Sequence, residues 1–274
     1  MSANNIPPAA AIEPLWPAAP ADETALATHP GSPRIRVHKG IAQLRLDRLA
    51  EHNRLDPADI DAMTRWFAQL AADPSIRALV ITGTGERTFS SGYTLNAILS
   101  ELDDRLERML DALEALPFVT IAALNGSVYG GATDLALACD LRIGMAGCRM
   151  FMPAARFGLH YYAGGMRRYV SRLGLSAAKK LFLTAMTVEC DEMLRMGFLT
   201  EVVEAGHFTA RVGEYLIAVG QTEASAVRSM KHQLNHIAEG RFDELTMRAA
   251  NRASMRSPQL RERLTRQLAD KKAR

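Results

Sequence analysis

This chain predicts an α/β fold with crossover connections, on three observations. Strand-like apolar runs alternate with amphipathic helical runs between residues 34 and 144. Residues 119–140, VTIAALNGSVYGGATDLALACD, show one such transition in full: a β-rich run, a turn at Asn125-Gly126, the pair Gly130-Gly131, then apolar residues at helical spacing. From Ser176 onward the chain reads as almost wholly helical.

Composition sets the outer limits. The 274 residues suffice for one large domain or a domain with an appendage. Hydrophobic residues make up 48% and charged residues 23%, and 33 basic against 30 acidic side chains give a formal charge of +3. A charge so balanced argues against a nucleic-acid partner. Cys139, Cys148 and Cys190 lack metal-ligand spacing and read as reduced core thiols, so a cytoplasmic location is expected. No apolar run approaches the roughly 18 residues of a membrane span, and the opening residues lack the charged-then-apolar pattern of a leader.

The elements follow in order. Seven of the 12 prolines fall in residues 1–33, which read as a flexible Pro/Ala-rich tail with Trp16 as its one anchor. Residues 34–38 and 42–47 alternate around Lys39-Gly40, which predicts a hairpin. Residues 57–72 place Ile60, Met63, Trp66, Phe67 and Leu70 on one helical face, with Asp56 as N-cap and Pro57 at the first position. Residues 78–82 read as a buried strand, 83–92 as a loop and 97–116 as one helix. After the strand and helix of 119–140, residues 141–144 give another short strand. Helices are expected over 176–185, 191–196, 209–220, 223–238, 242–255 and 259–271. The divisions expected are the tail, a core over 34–205 and a helical part over 206–274.

The glycine-rich turn carries the chemistry. A strand that breaks at glycines and restarts as a helix presents bare backbone N–H groups where the helix end adds partial positive charge. That arrangement suits an oxyanion or a phosphate, and Asp134 sits close enough to share it.

Four segments in order resemble the crotonase (enoyl-CoA hydratase/isomerase) superfamily. ALVITGTGERTFSSGYTL (78–95) is similar to its strand, loop and F-x-x-G-x-D-L element, and 119–140 to its P-x-I-A-x-x-N-G-x-x-x-G-G-G element. GLHYYAGGMRR (158–168) is similar to its G-x-x-P-x-x-G-G-x-x-R-L loop, and LFLTAMTVECDEMLRMGFLTEVV (181–203) to its L-T-G-x-x-x-x-A-x-E-A-x-x-x-G-L-V helix pair. The resemblance implies a ββα spiral core with a helical C-terminal part that assembles trimers or hexamers. It implies an acyl-CoA thioester substrate, lyase chemistry of the enoyl-CoA hydratase kind and a place in fatty acid metabolism. No cofactor is implied beyond the coenzyme A of the substrate, and no metal. Carried over by position, the backbone amides of Tyr93 and Gly131 would bind the thioester oxygen as it becomes negative. Tyr162, Gly130, His52 and Arg54 would meet substrate, the last two equally readable as a solvated loop.

The pattern also departs from the family. Two glutamates usually flank the substrate. Here the first position is Asp134 and the second is Ala154, which can neither give nor take a proton. Asp134 reads equally as an acid/base or as an aspartate that complements a helix dipole. Thr94 replaces the usual aspartate after the oxyanion residue. His160, Tyr161 and Tyr162 follow Gly158-Leu159 and are candidates for the missing acid, with an aromatic pocket wall as the alternative. The segment 126–132, GSVYGGA, and Tyr161 also resemble the methylmalonyl-CoA decarboxylase branch, which needs no pair of carboxylates. A non-catalytic acyl-CoA-binding or RNA-binding scaffold is the alternative of another class. Arg167-Arg168 reads as a surface pair.

Overall fold

The computed structural model describes residues 31–100 and 103–272. Most of the expected proline-rich tail, Trp16 included, lies outside the described residues; Ser32 and Pro33 at its end are buried. The described chain forms two compact units, one up to Gly220 and one from Gln221 onward.

The first unit opens with the expected hairpin of β1 (Arg34–His38) and β2 (Ile41–Leu46). Lys39 and Gly40 both have positive φ, 47° and 77°, as a two-residue hairpin turn with right-handed strand twist demands. Helix α1 (Pro57–Ala72) starts where the sequence places it, and the Asp59 carboxylate accepts from the Asp56 N–H at 2.8 Å.

The chain then winds in rounds. β3 (Ala78–Gly83) is followed by β4 (Thr88–Ser90), β5 (Val119–Leu124) by β6 (Ser127–Tyr129), and β7 (Leu141–Met145) by β8 (Arg149–Phe151). The first strand of each round joins a six-stranded sheet in the order β1-β2-β3-β5-β7-β10, parallel beyond the hairpin. The second joins a four-stranded sheet, β4-β6-β8-β9. Helices α2 (Leu95–Ser100), α3 (Arg105–Glu114) and α4 (Gly131–Ala138) bridge the rounds. Then come α5 (Ala163–Leu173), α6 (Leu175–Thr184), β9 (Val188–Glu189), α7 (Cys190–Arg195), β10 (Glu201–Val203) and α8 (Phe208–Gln221). This is the ββα spiral.

The large sheet is buried on both faces, which is why β3 and β5 read as continuous apolar runs. Leu79, Ile81, Ala122 and Leu124 face the main core with α1, while Val80, Ile121 and Ala123 face Phe208 and Val212 of α8. That packing puts α8 in the first unit, so the division falls at Gly220 rather than at 205.

The loop expected over 83–92 contains strand β4, and two helical elements differ from expectation as well. The helix expected over 97–116 is two helices: α2 stops at Ser100 and α3 restarts at Arg105, where Asp103 Oδ1 accepts from the Arg105 N–H at 2.9 Å. The tyrosine-glycine loop continues directly into a helix, α5, that begins at Ala163.

The second unit holds α9 (Ala224–Ala238), α10 (Glu244–Met255) and α11 (Pro258–Lys272). Glu223 caps α9 through the Ser225 and Ala226 N–H groups, and Asp243 caps α10 through that of Thr246. Among the described residues no helix is long and apolar enough to cross a membrane.

Candidate active site

Residues 52–55 and 91–94 run side by side. Ser91 N–H donates to His52 O, Leu55 N–H to Gly92 O, and Thr94 N–H to Leu55 O, at 2.8–2.9 Å. This parallel ladder uses both backbone groups of Leu55, so the N–H of Tyr93 faces the other way. On that side stands the start of α4. A Cβ on Gly92 (φ +91°) would lie 2.6 Å from Tyr129 O and 3.0 Å from Gly131 N. A Cβ on Gly131 would lie 3.8 Å from Tyr93 N. Glycine is thus required for the β4 and β6 connections to touch. The structure brings the Tyr93 and Gly131 amides to one place. Gly131, in the first turn of α4, has no carbonyl within its helix to bond.

Tyr93 and Gly131 both line a cavity of about 340 Å³, together with Gly130, Tyr161, Tyr162 and His160. Leu95, Leu106, Met152, Ala154, Phe157 and Leu159 make much of the remaining wall apolar. Ala154, at the position where the resemblance would put a second carboxylate, is part of this wall. Tyr161 and Tyr162 stack at 4.3 Å between centroids, with their hydroxyl oxygens 3.0 Å apart. His160 is exposed at the rim, with Nδ1 2.8 Å from Tyr161 O.

Asp134 lies one layer behind this wall. It is fully buried, and among the described residues that line the cavity it does not occur. Its Oδ1 accepts from Arg168 Nε at 2.8 Å and its Oδ2 from Arg168 Nη2 at 3.0 Å; the Tyr162 hydroxyl donates to Oδ2 at 2.5 Å. Arg168 is not the surface residue its sequence suggests: its side chain is 0% exposed. It also reaches Asp111 Oδ1 at 2.6 Å and Glu114 Oε2 at 3.2 Å. Burial alone would lower the Arg168 pKa; the carboxylates of Asp134 and Asp111 outweigh it and hold the guanidinium charged. Burial likewise pushes the Glu114 carboxyl up, and Arg167, Arg172 and Arg168 more than reverse this, leaving it below the ordinary range. Burial, then the neighbouring Asp134, pushes the Tyr162 phenol well up. Burial, Tyr162 and Asp134 do the same to Tyr161. Near neutral pH both phenols are therefore proton-bearing donors.

Glycine makes this assembly possible too. A Cβ on Gly165 of α5 would lie 2.3 Å from Tyr161 Cε1 and 2.9 Å from Asp134 Oδ2.

Of the residues expected to meet a ligand, Tyr93, Gly131, Gly130, Tyr162, Tyr161 and His160 converge on the cavity. His52 and Arg54 do not. His52 lines a neighbouring polar cavity that shares Ser91, with Nδ1 3.1 Å from Thr88 Oγ1, and Arg54 is held by Asp56 at 2.9 Å. Their loop instead fixes the backbone before Tyr93. Sequence reasoning missed Glu107, Asp111, Glu114 and the burial of Arg168. One signal was present: a buried aspartate in an otherwise apolar helix requires a counter-charge.

Known proteins share this architecture. The family model for enoyl-CoA hydratase/isomerase matches residues 36–267. The short-chain-enoyl-CoA hydratase of Clostridium acetobutylicum is 27% identical over 202 residues, 71% of this chain and 77% of that protein. The carnitinyl-CoA dehydratase of Proteus mirabilis is 28% identical over 214 residues, 74% and 80% of the two chains. Among solved structures, Pseudomonas aeruginosa DspI superposes with a TM-score of 0.70 at 30% identity, covering 87% of this chain and 88% of that one. The enoyl-CoA hydratase of Bacillus anthracis, at 22% identity, shares the fold with a TM-score of 0.77 over 89% and 97% of the chains. The spiral, the paired amides and a match across most of the chain together lead to one conclusion: this chain belongs to the enoyl-CoA hydratase/isomerase family.

Proposed function

We propose that the cavity takes the thioester head of an acyl-CoA and that the enzyme stabilises its enolate, in a hydratase-like lyase reaction. The observation that carries this reading is the convergence of the Tyr93 and Gly131 amides at the wall of a largely apolar cavity. Fixed dipoles in a dry site need no reorganisation as charge develops, and each such donor is typically worth ~3–4 kcal/mol. Asp134 acts through Tyr162, whose hydroxyl it orients; Tyr161 and His160 complete that wall, and Gly130 lets the chain turn tightly beside the ligand. Named relatives that add or remove water support this reading over decarboxylation or a non-catalytic scaffold.

Assembly belongs to the same proposal. Leu245 is 79% exposed on α10, and α11 exposes Leu264 and Leu268. Within the chain these side chains have little cover, which supports a homotrimer or hexamer.

Calorimetric titration tests the ligand. Butyryl-CoA binds more tightly than free CoA, because only the ester offers an oxygen to the two amides. Absence of heat and of any thermal shift at millimolar ester overturns the proposed activity and leaves the fold untouched.

A further inference from the structure

We infer that Glu107 of α3 is the acid/base of this cavity and stands in for the carboxylate missing at Ala154. The inference rests on the acyl-CoA reading above.

The two positions where a carboxylate would be sought do not supply a usable one. Ala154 has none, and Asp134 is fully buried and spanned by Arg168. Among the described residues three carboxylates line the cavity: Asp103, Asp104 and Glu107. Asp103 Oδ2 is 2.9 Å from Arg105 Nε, and Asp104 Oδ1 is 2.9 Å from Arg108 Nη2. Each therefore has a cation beside it in the exposed rim. Glu107 is half-buried, and among the described residues no cation pairs with it. Its Oε1 accepts from the Gly164 N–H at 3.0 Å, while Oε2 has no hydrogen-bond partner among the described residues.

The fold also places Glu107 on the same cavity as the amide pair. Its neighbour Leu106 sets Cδ2 3.2 Å from where a Gly131 Cβ would stand, so the first turn of α3 covers the start of α4. On the other side, a Cβ on Gly164 would lie 3.2 Å from Glu107 Oε1. The carboxylate thus lines the same cavity as Gly131, anchored on the Gly164 N–H by one oxygen and open at the other.

One such carboxylate completes a hydration. A water oxygen bonds to Cβ of the enoyl group while Glu107 takes its proton. The C=C electron pair moves onto the thioester oxygen, held by the Tyr93 and Gly131 amides. The enolate collapses, and Cα receives the proton back from Glu107. Water and enoyl thioester are consumed, the 3-hydroxyacyl thioester is formed, and the carboxylate is regenerated.

Glu107→Gln separates this role from simple capping, because the amide oxygen still accepts from Gly164 N–H and cannot take a proton. Two quantities are read: deuterium exchange at Cα of butyryl-CoA in D₂O, followed by mass spectrometry, and butyryl-CoA affinity by calorimetry. The expected result is exchange slowed by about 10²–10⁴-fold, with affinity within about threefold and the thermal midpoint unchanged. Exchange within threefold of the parent overturns the inference and leaves Glu107 as a helix cap. A parent that binds butyryl-CoA but exchanges no Cα proton overturns the role of Glu107 alone; a parent that does not bind overturns the acyl-CoA reading as well. If E107Q does not fold, E107D carries the test. It keeps the charge and withdraws it by one methylene, so exchange must fall at least tenfold, and unchanged exchange refutes the role.

Discussion

Replacing Arg168 by methionine removes one charge from the middle of a fully buried pair. Methionine fills similar length without donors, so the change isolates the guanidinium. Three carboxylates lose a partner, but not equally. Asp111 is 50% exposed, so water replaces the arginine there and the loss lies within about 1 kcal/mol. Glu114 keeps Arg172 at 2.9 Å and its contact with Arg167. Asp134, at 0% exposure, keeps among the described residues only the Tyr162 hydroxyl. An uncompensated buried carboxylate typically costs about 3–5 kcal/mol, and the destabilisation of R168M should fall in that range. Urea unfolding followed by circular dichroism measures it; with a slope of about 2–3 kcal/mol per molar, the midpoint drops by more than about 1 M. Adding Asp134→Asn removes the stranded charge while keeping an acceptor for Tyr162. The double variant should therefore recover about 1–2 kcal/mol relative to R168M. A single-variant loss under 1 kcal/mol, or a double variant no more stable than the single, would refute the claim that this ion pair decides local stability.

Two further outcomes are expected. Gly165→Ala places a methyl 2.3 Å from Tyr161 Cε1, in a spot closed by a buried ring and a fixed carboxylate, and should cost about 1–3 kcal/mol in thermal or urea unfolding; no measurable change would show that the tyrosine pair yields freely. Light scattering of the full chain should return a multiple of the 30.0 kDa monomer, three- or sixfold, and a monomeric mass would overturn the proposed assembly.

Local signals made the frame legible in the sequence. The hairpin could be read because Lys39-Gly40 interrupts two alternating runs, and α1 because Asp56, Pro57 and five apolar residues agree on one helix. The place where Tyr93 meets Gly131 followed from glycine spacing and from resemblance. Strands β4, β6 and β8 could not be read: three residues are too few to show a period. Helix α5 was hidden because Gly164 and Gly165 argue against a helix start, whereas the packed site needs their missing side chains. The network around Arg168 draws Asp111 and Glu114 from α3 and Asp134 from α4, and no local pattern on α5 records partners so far away along the chain. Asp134 was visible as a candidate; its removal from the cavity wall depended on that distant arginine.

The two amides at Tyr93 and Gly131 belong to the main chain, and this gives the site an uneven tolerance to mutation. Every amino acid except proline supplies the same N–H group, so a codon change at Tyr93 can alter the ring and leave the donor in place. In the proposed reaction the side chains that move protons have no such protection: an alanine in place of a carboxylate, such as the one the resemblance puts at position 154, supplies no functional group at all. A scaffold divided in this way can lose one proton-transfer group and recruit another from a neighbouring helix while its grip on the substrate oxygen persists through the interval. Its chemistry can diversify without passing through a form that no longer recognises its substrate.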